Sequence, residues 1–172
     1  RRSADEAMEV VRENLFHLHP IQLTPVTVAA AVEEALAKAA LPAGVKVETR
    51  GLQYLPPVQA GQRRLPLVFA NLLENAADAM AGEGKITIEG SRLGKWVEIS
   101  VTDTGPGIPP ELHEKIFDFN YSGRASHPNK LGFGLWWVKS LMARFGGSVS
   151  VQSDGKCGTT FLLRLPLAEV KE

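Results

Sequence analysis

The segment Lys95–Asp103 constrains the fold more than any other part of this chain of 172 residues. Its apolar and polar residues alternate, which is the pattern of a β-strand with one buried face. A second alternating segment, Lys85–Arg92, precedes it, and Leu93-Gly94 between them is typical of a hairpin turn. A sheet with one apolar face has to be covered by a second layer. The chain must therefore supply that layer from its helical segments.

The rest of the chain mixes helical and strand patterns. Apolar residues at helical spacing predict helices over Ser3–Leu18, Val28–Ala40, Gln62–Met80 and Gly132–Phe145. Alternation predicts strands at Ile21–Leu23, Val45–Thr49, Ser148–Gln152 and Thr159–Leu165. Strand and loop are expected over Leu52–Val58, and loop with one short helix over Thr104–Lys130. This order predicts an α+β fold with helices on one face of the sheet.

Charge and cysteine content exclude several classes of function. The 19 Lys and Arg residues balance the 19 Asp and Glu residues, so the chain is not a general polyanion binder and no nucleic acid partner is expected. Cys157 is the only cysteine, which excludes an internal disulfide and a thiolate metal cluster. No apolar run approaches the roughly 20 residues needed to span a bilayer. The chain begins with Arg1-Arg2 and not with Met, so we interpret it as an excised fragment. We expect this fragment to make no membrane contact.

The first candidate site is a polar stripe on the long helix. Asn71, Glu74, Asn75 and Asp78 recur at helical spacing and therefore share one side. Such a stripe is usually a solvated face. Asn is a poor helix former, however, and amide oxygens are hard ligands that suit Mg²⁺. Both a solvated face and a metal or phosphate site remain open on these residues alone.

The second candidate site lies at the end of the strand Lys95–Asp103. Asp103 continues the apolar, core-directed face, where a carboxylate costs free energy unless it is satisfied. It could cap the following turn, or it could accept a hydrogen bond from a ligand amino group such as that of adenine. Gly105 and Gly107 would let the backbone approach a flat ring, and Ile108 could add apolar contact.

Two further signals are weaker. Gly132 and Gly134 stand at the predicted start of a helix. The first backbone amides of a helix can bind phosphate, but glycines at this position can also simply form a turn. Arg124 and Lys130 precede them, either as phosphate contacts or as ordinary loop cations. A hydroxyl in Gly158–Phe161 could bond a ring nitrogen, or the segment could be an ordinary strand start.

Together, these motifs resemble the ATPase domain of sensor histidine kinases, which belong with gyrase, the Hsp90 chaperone and the MutL mismatch-repair protein. The resemblance covers about residues 52–166. Asn71–Ala79 resembles the family's N box, Asp103–Pro109 its G1 box, and Ile116–Phe119 its F box. Leu131–Leu135 resembles the G2 box, and Gly158–Phe161 resembles the closing strand. The resemblance implies a two-layer α/β sandwich of the Bergerat type, with a mixed, mostly antiparallel sheet.

The resemblance also implies roles. Asn75 would coordinate Mg²⁺ with Asn71 beside it, Asp103 would accept from adenine N6, and residues 117–130 would form an ATP lid. The candidate catalytic residues are Asn71, Glu74 and Asn75, with Asn75 as the metal ligand. The candidate nucleotide-binding residues are Asn75, Asp78, Asp103, Gly105, Gly107, Ile108, Phe119, Arg124, Lys130, Gly132, Phe133, Gly134, Leu135 and Thr159.

Several positions depart from the family pattern. Asn71 stands where ATP-hydrolysing relatives carry a water-activating Glu, and an amide is not a general base. Glu74 lies about 100° around the helix from Asn75. Many kinases carry Lys in place of Asp78, and the commoner G2 box has Leu in place of Phe133.

The histidines bear on which domains the chain contains. His17 and His19 do not lie in a recognisable phosphoacceptor motif. Residues 1–20 are therefore interpreted as an N-terminal helix remaining from a dimerisation and phosphoacceptor domain, and residues 21–172 as the ATP-binding catalytic domain.

The expected function is ATP–Mg²⁺ binding and transfer of the γ-phosphoryl group to a His on a separate helical domain, with a response regulator as an indirect partner. A nucleotide-gated module without transfer and a protein-serine kinase of the same superfamily are the alternatives. The expected location is cytoplasmic, although the parent protein could be membrane-anchored.

Overall fold

The computed structural model describes residues 20–119, 121 and 134–169. The helices in this part of the chain are α1 (Val28–Lys38), α2 (Leu65–Ala79) and α3 (Gly134–Arg144). The strands are β1 (Leu23–Val26), β2 (Gly44–Arg50), β3 (Val58–Gly61), β4 (Glu83–Leu93), β5 (Trp96–Asp103), β6 (Ser148–Gln152) and β7 (Thr159–Pro166). Short 3₁₀ turns cover Leu52–Tyr54, Pro110–Leu112 and Lys115–Phe117.

The main sheet has five strands in the order β2-β4-β5-β7-β6. Only its β2–β4 pair is parallel, while β4–β5, β5–β7 and β6–β7 are antiparallel. Strands β1 and β3 form a separate antiparallel ribbon. The expected α+β fold with a mixed, mostly antiparallel sheet is confirmed.

One face of the sheet carries the core. Along β5 and β7 buried residues alternate with half-buried ones, as the strand periodicity predicts. Helix α2 contacts β4, β5, α1 and α3, and α3 contacts β6, so the helices form one layer over this face. Burial of their apolar sides against the sheet supplies the main stabilisation of the domain, at about 25 cal/mol per Å² of apolar surface.

The start of α2 is determined by Pro66. Proline fits the first turn of a helix because the amide it lacks would have no partner there. The helix therefore begins at Leu65, and the predicted start at Gln62 was too early. Residues Val68, Phe69, Leu72 and Leu73 are fully buried along its inner side. The opposite side of α2 is then available for the polar stripe.

Several predicted boundaries differ from the structure. The first strand lies at Leu23–Val26 instead of Ile21–Leu23, because its position is set by pairing with β3. Strand β3 was predicted only as part of a strand-and-loop region ending at Val58, whereas it begins there and continues to Gly61. Helix α1 ends at Lys38, since Ala39 is extended. The predicted helix Ser3–Leu18 and the division at residue 20 concern residues that lie outside or at the edge of the described chain.

Candidate functional site

Asp103 lies at the inner face of β5, where the sequence predicts it. It is 4% exposed, and its partner across the sheet in β7 is Thr159, which is 5% exposed. Among the described residues, these two are the buried polar ones. Burial of a polar group is unfavourable unless it is hydrogen-bonded. Two such residues side by side at one end of the sheet therefore indicate a polar site built into the core face.

The Asp103 carboxylate caps the turn that follows it. Its Oδ1 accepts a hydrogen bond from the amide of Gly105 at 2.8 Å. A Cβ on Gly105 would lie 2.9 Å from that oxygen and 3.4 Å from both Ala79 and Met80. The turn is thus held between the carboxylate and the end of α2. The turn-capping interpretation of Asp103 is confirmed, and this bond holds one carboxylate oxygen at the turn.

The loop after Asp103 is joined to the loop that precedes β7. Gly107 has φ +81°, in the region that favours glycine, and a Cβ there would lie 2.7 Å from Oγ of Ser153. The amide of Ile108 donates to Ser153 Oγ at 2.9 Å, and Ser153 Oγ donates to the carbonyl of Gly158 at 2.7 Å. The amide of Gly158 donates to the carbonyl of Gly105 at 2.6 Å. The two loops therefore form one wall next to Asp103 and Thr159.

Sequence reasoning did not identify Ser153. The signal available was its place before Asp154-Gly155, a combination typical of turns. Asp154 Oδ1 accepts from the amides of Cys157 at 3.0 Å and Lys156 at 2.8 Å, and these two bonds lower the pKa of the Asp154 carboxyl. The turn is thus closed by its own aspartate, which leaves Ser153 free to reach the other loop. Its partner Ile108 is 45 positions away along the chain, so no local pattern could have revealed the contact.

The polar stripe of α2 meets the start of α3. A Cβ on Gly134 would lie 3.4 Å from Oδ1 of Asn71 and 3.8 Å from Nδ2 of Asn75. Asn71, Glu74, Asn75 and Asp78 are half-buried. A fully solvated face, the simpler alternative for this stripe, is not what the structure shows. The two asparagine amides instead adjoin Gly134, the first described residue of α3.

The aromatic residues near the predicted lid pack on α3 and β7. Phe117 is buried, and its ring lies edge-on to Phe161 with centroids 6.3 Å apart. Phe119 is 44% exposed and contacts Trp136 of α3, with centroids 5.1 Å apart. Leu135 is half-buried against the core. Phe119 thus lies against α3, and the contact of Phe119 and Leu135 with nucleotide stays a prediction.

Four predicted nucleotide-binding residues, Arg124, Lys130, Gly132 and Phe133, lie outside the described residues, as does most of the predicted lid. Within the described chain, no group of three or more His, Cys, Asp or Glu residues lies together so that it could hold a metal ion. The amide oxygens of Asn71 and Asn75 are hard ligands, and Mg²⁺ keeps several waters and needs few protein donors. This donor set therefore fits Mg²⁺ bound together with phosphates.

No helix in the described part of the chain is long and apolar enough to cross a membrane.

Comparison with known proteins agrees with this geometry. Residues 60–169 match the model of the histidine kinase-, DNA gyrase B-, and HSP90-like ATPase family. The chain belongs to this family. Membership makes it an ATP-binding domain, and the matched range includes all the site residues described above.

Relatives of the chain include a sensor protein and a sensory kinase. The sensor protein CitS of Halalkalibacterium halodurans is 38% identical over 125 residues, which are 70% of this chain and 23% of CitS. The adaptive-response sensory kinase SasA of Synechococcus sp. (strain CC9902) is 34% identical over 158 residues, which are 90% of this chain and 41% of SasA. The chain therefore spans less than half the length of these relatives.

Solved structures show the same fold. The mycobacterial sensor histidine kinase MprB superposes with a TM-score of 0.73 at 22% identity, over 86% of this chain and all of the MprB chain. Full-length ShkA in complex with AMPPNP superposes with a TM-score of 0.74 at 26% identity, over 88% of this chain and 32% of ShkA. These superpositions agree with the α+β fold described above.

Proposed function

We propose that this chain binds ATP with Mg²⁺ and transfers the γ-phosphoryl group to a histidine on a separate helical domain, as the catalytic domain of a two-component sensor kinase. The observation that carries the proposal is the approach of Gly134 to Asn71 and Asn75 on α2, the helix whose last residue, Ala79, lies near the turn after Asp103. We infer that the nucleotide would lie along α2 between these residues and the buried pair Asp103 and Thr159, and this region is called the cleft below. One end suits phosphates and a metal, and the other suits a purine base.

The base end of the cleft is suited to adenine. Adenine carries an exocyclic NH₂ donor, whereas guanine has a carbonyl acceptor at the equivalent position. An ionised carboxylate only accepts hydrogen bonds, so Asp103 favours the first of these. The hydroxyl of Thr159, its neighbour across the sheet, can serve an adjacent ring nitrogen directly or through water. The half-buried Ile108 supplies apolar contact to the ring plane.

The phosphate end combines the start of α3 with two asparagines. Free amides in the first turn of a helix, together with the helix dipole, stabilise phosphate oxygens. Asn75 would hold Mg²⁺, and Asn71 would lie beside it. The metal, when bound, neutralises phosphate charge. Glu74, Phe119, Arg124, Lys130, Gly132, Phe133 and Leu135 stay candidates for further contacts at this end, and Asp78 stays a candidate for a contact farther along α2.

Helix α2 sets the separation between the two ends. Asn71 lies at the phosphate end, and Ala79, which adjoins Gly105, lies at the base end. Eight residues of α-helix span about 12 Å. The helix therefore acts as a rigid spacer along which an extended nucleotide would lie. Rigid positioning matters because phosphoryl transfer depends mainly on orientation and charge neutralisation.

Transfer is favoured over hydrolysis by the residue at position 71. The Asn71 amide cannot remove a proton from water, so no general base for hydrolysis is supplied from this position of α2. The acceptor would be a histidine of the dimerisation and phosphoacceptor domain, from which a response regulator would then receive the phosphoryl group. We place this chemistry in the cytoplasm, where ATP is available. A nucleotide complex of the neighbour ShkA supports the ATP assignment.

The test is a transfer assay with γ-³²P-labelled ATP, Mg²⁺ and the helical phosphoacceptor domain of the parent protein. We expect label on that domain that is acid-labile and base-stable, as phosphohistidine is, and little release of free phosphate. Acid-stable label on Ser would favour a protein-serine kinase. Tight ATP binding with no label on any partner would favour a nucleotide-gated module.

A matched control keeps these outcomes interpretable. Glu89 lies exposed on β4, and Glu89→Gln removes a carboxylate outside the cleft. Its rate of transfer should equal that of the unaltered chain. Asn75→Ala should lose Mg²⁺-dependent ATP binding and transfer together. Transfer at the normal rate by Asn75→Ala would contradict the assignment of the metal.

A further inference from the structure

We propose that Ser153 is a positioning residue for the base end of the cleft. Its hydroxyl locks the loop Gly105–Ile108 to the loop Ser153–Gly158 and thereby sets the affinity for adenine nucleotides. Ser153 would not touch the nucleotide. The inference rests on the proposed function, because it concerns how the same cleft is held in shape.

The hydroxyl of Ser153 uses its full hydrogen-bonding capacity. A serine hydroxyl has one donor and two acceptor positions. Ser153 Oγ accepts from the amides of Ile108 at 2.9 Å and Gly155 at 3.3 Å, and it donates to the carbonyl of Gly158 at 2.7 Å. All three partners are backbone groups of the two loops. The side chain therefore replaces the regular pairing that irregular segments lack.

These bonds fix the segments that carry the base-binding groups. Ile108 is held at both of its backbone groups, since its carbonyl also lies 2.8 Å from Nε2 of His113. Gly158 is held at both of its groups as well, because its amide donates to Gly105. Gly158 directly precedes Thr159. Movement of Ser153 would thus shift the apolar side chain of Ile108 on one side of the base and the hydroxyl of Thr159 on the other.

The position of Ser153 separates its role from general stability. Strand β6 ends at Gln152, so Ser153 is outside the β6–β7 ladder and does not belong to the apolar core. Replacement by alanine leaves the ladder and the core contacts in place. It leaves the amides of Ile108 and Gly155 and the carbonyl of Gly158 without their common partner. The expected consequence is a looser wall on an otherwise intact domain.

The experiment compares Ser153→Ala with Ser153→Thr, which keeps the hydroxyl, and with Ser150→Ala, which removes an exposed hydroxyl from β6. Affinity for Mg²⁺–ATP is measured by calorimetry at a temperature where every variant is folded. We expect Ser153→Ala to bind about tenfold more weakly, equivalent to one net hydrogen bond. Ser153→Thr should recover most of the loss, and Ser150→Ala should match the unaltered chain.

Amide hydrogen exchange in the absence of nucleotide provides the readout that a purely structural role would not produce. Ser153→Ala should exchange faster at Ile108 and Gly158, while the amides of α2 around Leu72 keep their protection. Equal ATP affinity in Ser153→Ala and the unaltered chain would overturn the inference, as would faster exchange throughout the domain or failure of threonine to restore binding. Absence of ATP binding by the unaltered chain would instead reject the proposed function as well.

Discussion

Replacement of Asp103 by asparagine is the sharpest perturbation of the base end of the cleft. Asp103 is almost fully buried, and one of its oxygens is occupied by the amide of Gly105 at 2.8 Å. Asparagine can keep that bond with its own oxygen. Its NH₂ group then takes the place of the second carboxylate oxygen, so a donor would face the NH₂ donor of adenine.

The size of the effect follows from this exchange of an acceptor for a donor. A hydrogen bond to a charged group contributes about 1.5–3 kcal/mol. At 1.4 kcal/mol for each factor of ten, its loss weakens ATP binding by about 10- to 150-fold. Binding of GTP should weaken less or improve, because the guanine carbonyl accepts from an amide.

The assay is calorimetric titration of the unaltered chain, Asp103→Asn and the control Glu89→Gln with Mg²⁺–ATP and Mg²⁺–GTP. Unfolding in urea shows whether Asp103→Asn remains folded under the same conditions. The decisive quantity is the ratio of the two dissociation constants. A variant that binds ATP within twofold of the unaltered chain, with the same ratio, would refute the assignment of Asp103 as the adenine acceptor.

Three further predictions concern other parts of the domain. Gly107→Ala should lower the free energy of unfolding by more than the roughly 1–2 kcal/mol that a left-handed backbone costs an alanine, because its Cβ would also displace Ser153. Urea unfolding measures this change, and an unchanged midpoint would contradict the loop geometry. Gly134→Ala should unfold at the same or a slightly higher urea concentration, because the nearest atoms to its Cβ are at ordinary contact distance. The variant should nevertheless bind ATP about tenfold more weakly, because the added methyl group lies against Asn71 and Asn75. The hydrogen bonds and charges of Arg50 and Lys85 lower the pKa of Glu48 from 4.5 to about 2, so the contribution of Glu48 to stability is present above pH 4.5 and is lost as pH falls towards 2. Glu48→Gln should flatten the decline in unfolding free energy over that interval, and a decline as steep as before would show that this exposed ion pair contributes nothing measurable.

Local periodicity was sufficient for most of the elements. Alternation along Lys95–Asp103 predicts that Asp103 lies on the buried face of its strand, and the structure confirms it. Helical spacing likewise put Asn71, Glu74, Asn75 and Asp78 on one side of α2. These inferences succeed because side-chain direction in a strand or helix is fixed by the backbone geometry of a few neighbouring residues.

The errors occurred where the local pattern carries no information about pairing. The predicted position of β1 was wrong because that position depends on pairing with β3. The residues of β3 after Val58 were not predicted as a strand, because the preceding Pro56 and Pro57 weaken the strand pattern. The parallel pairing of β2 with β4 could not be read from either segment alone. Pairing partners are chosen by the whole fold, since an isolated edge has many energetically similar partners.

By itself, then, the sequence determined the kinds of elements, the inward direction of Asp103 and the family to which the site belongs. Tertiary structure decided what surrounds those residues. It brought Gly134 onto Asn71 and Asn75, and it connected Ser153 to Ile108 across 45 positions of the chain. The physical reason is that a strand or helix pattern reports which side of an element is buried, whereas the contact that shapes a binding cleft forms only when distant loops are packed together.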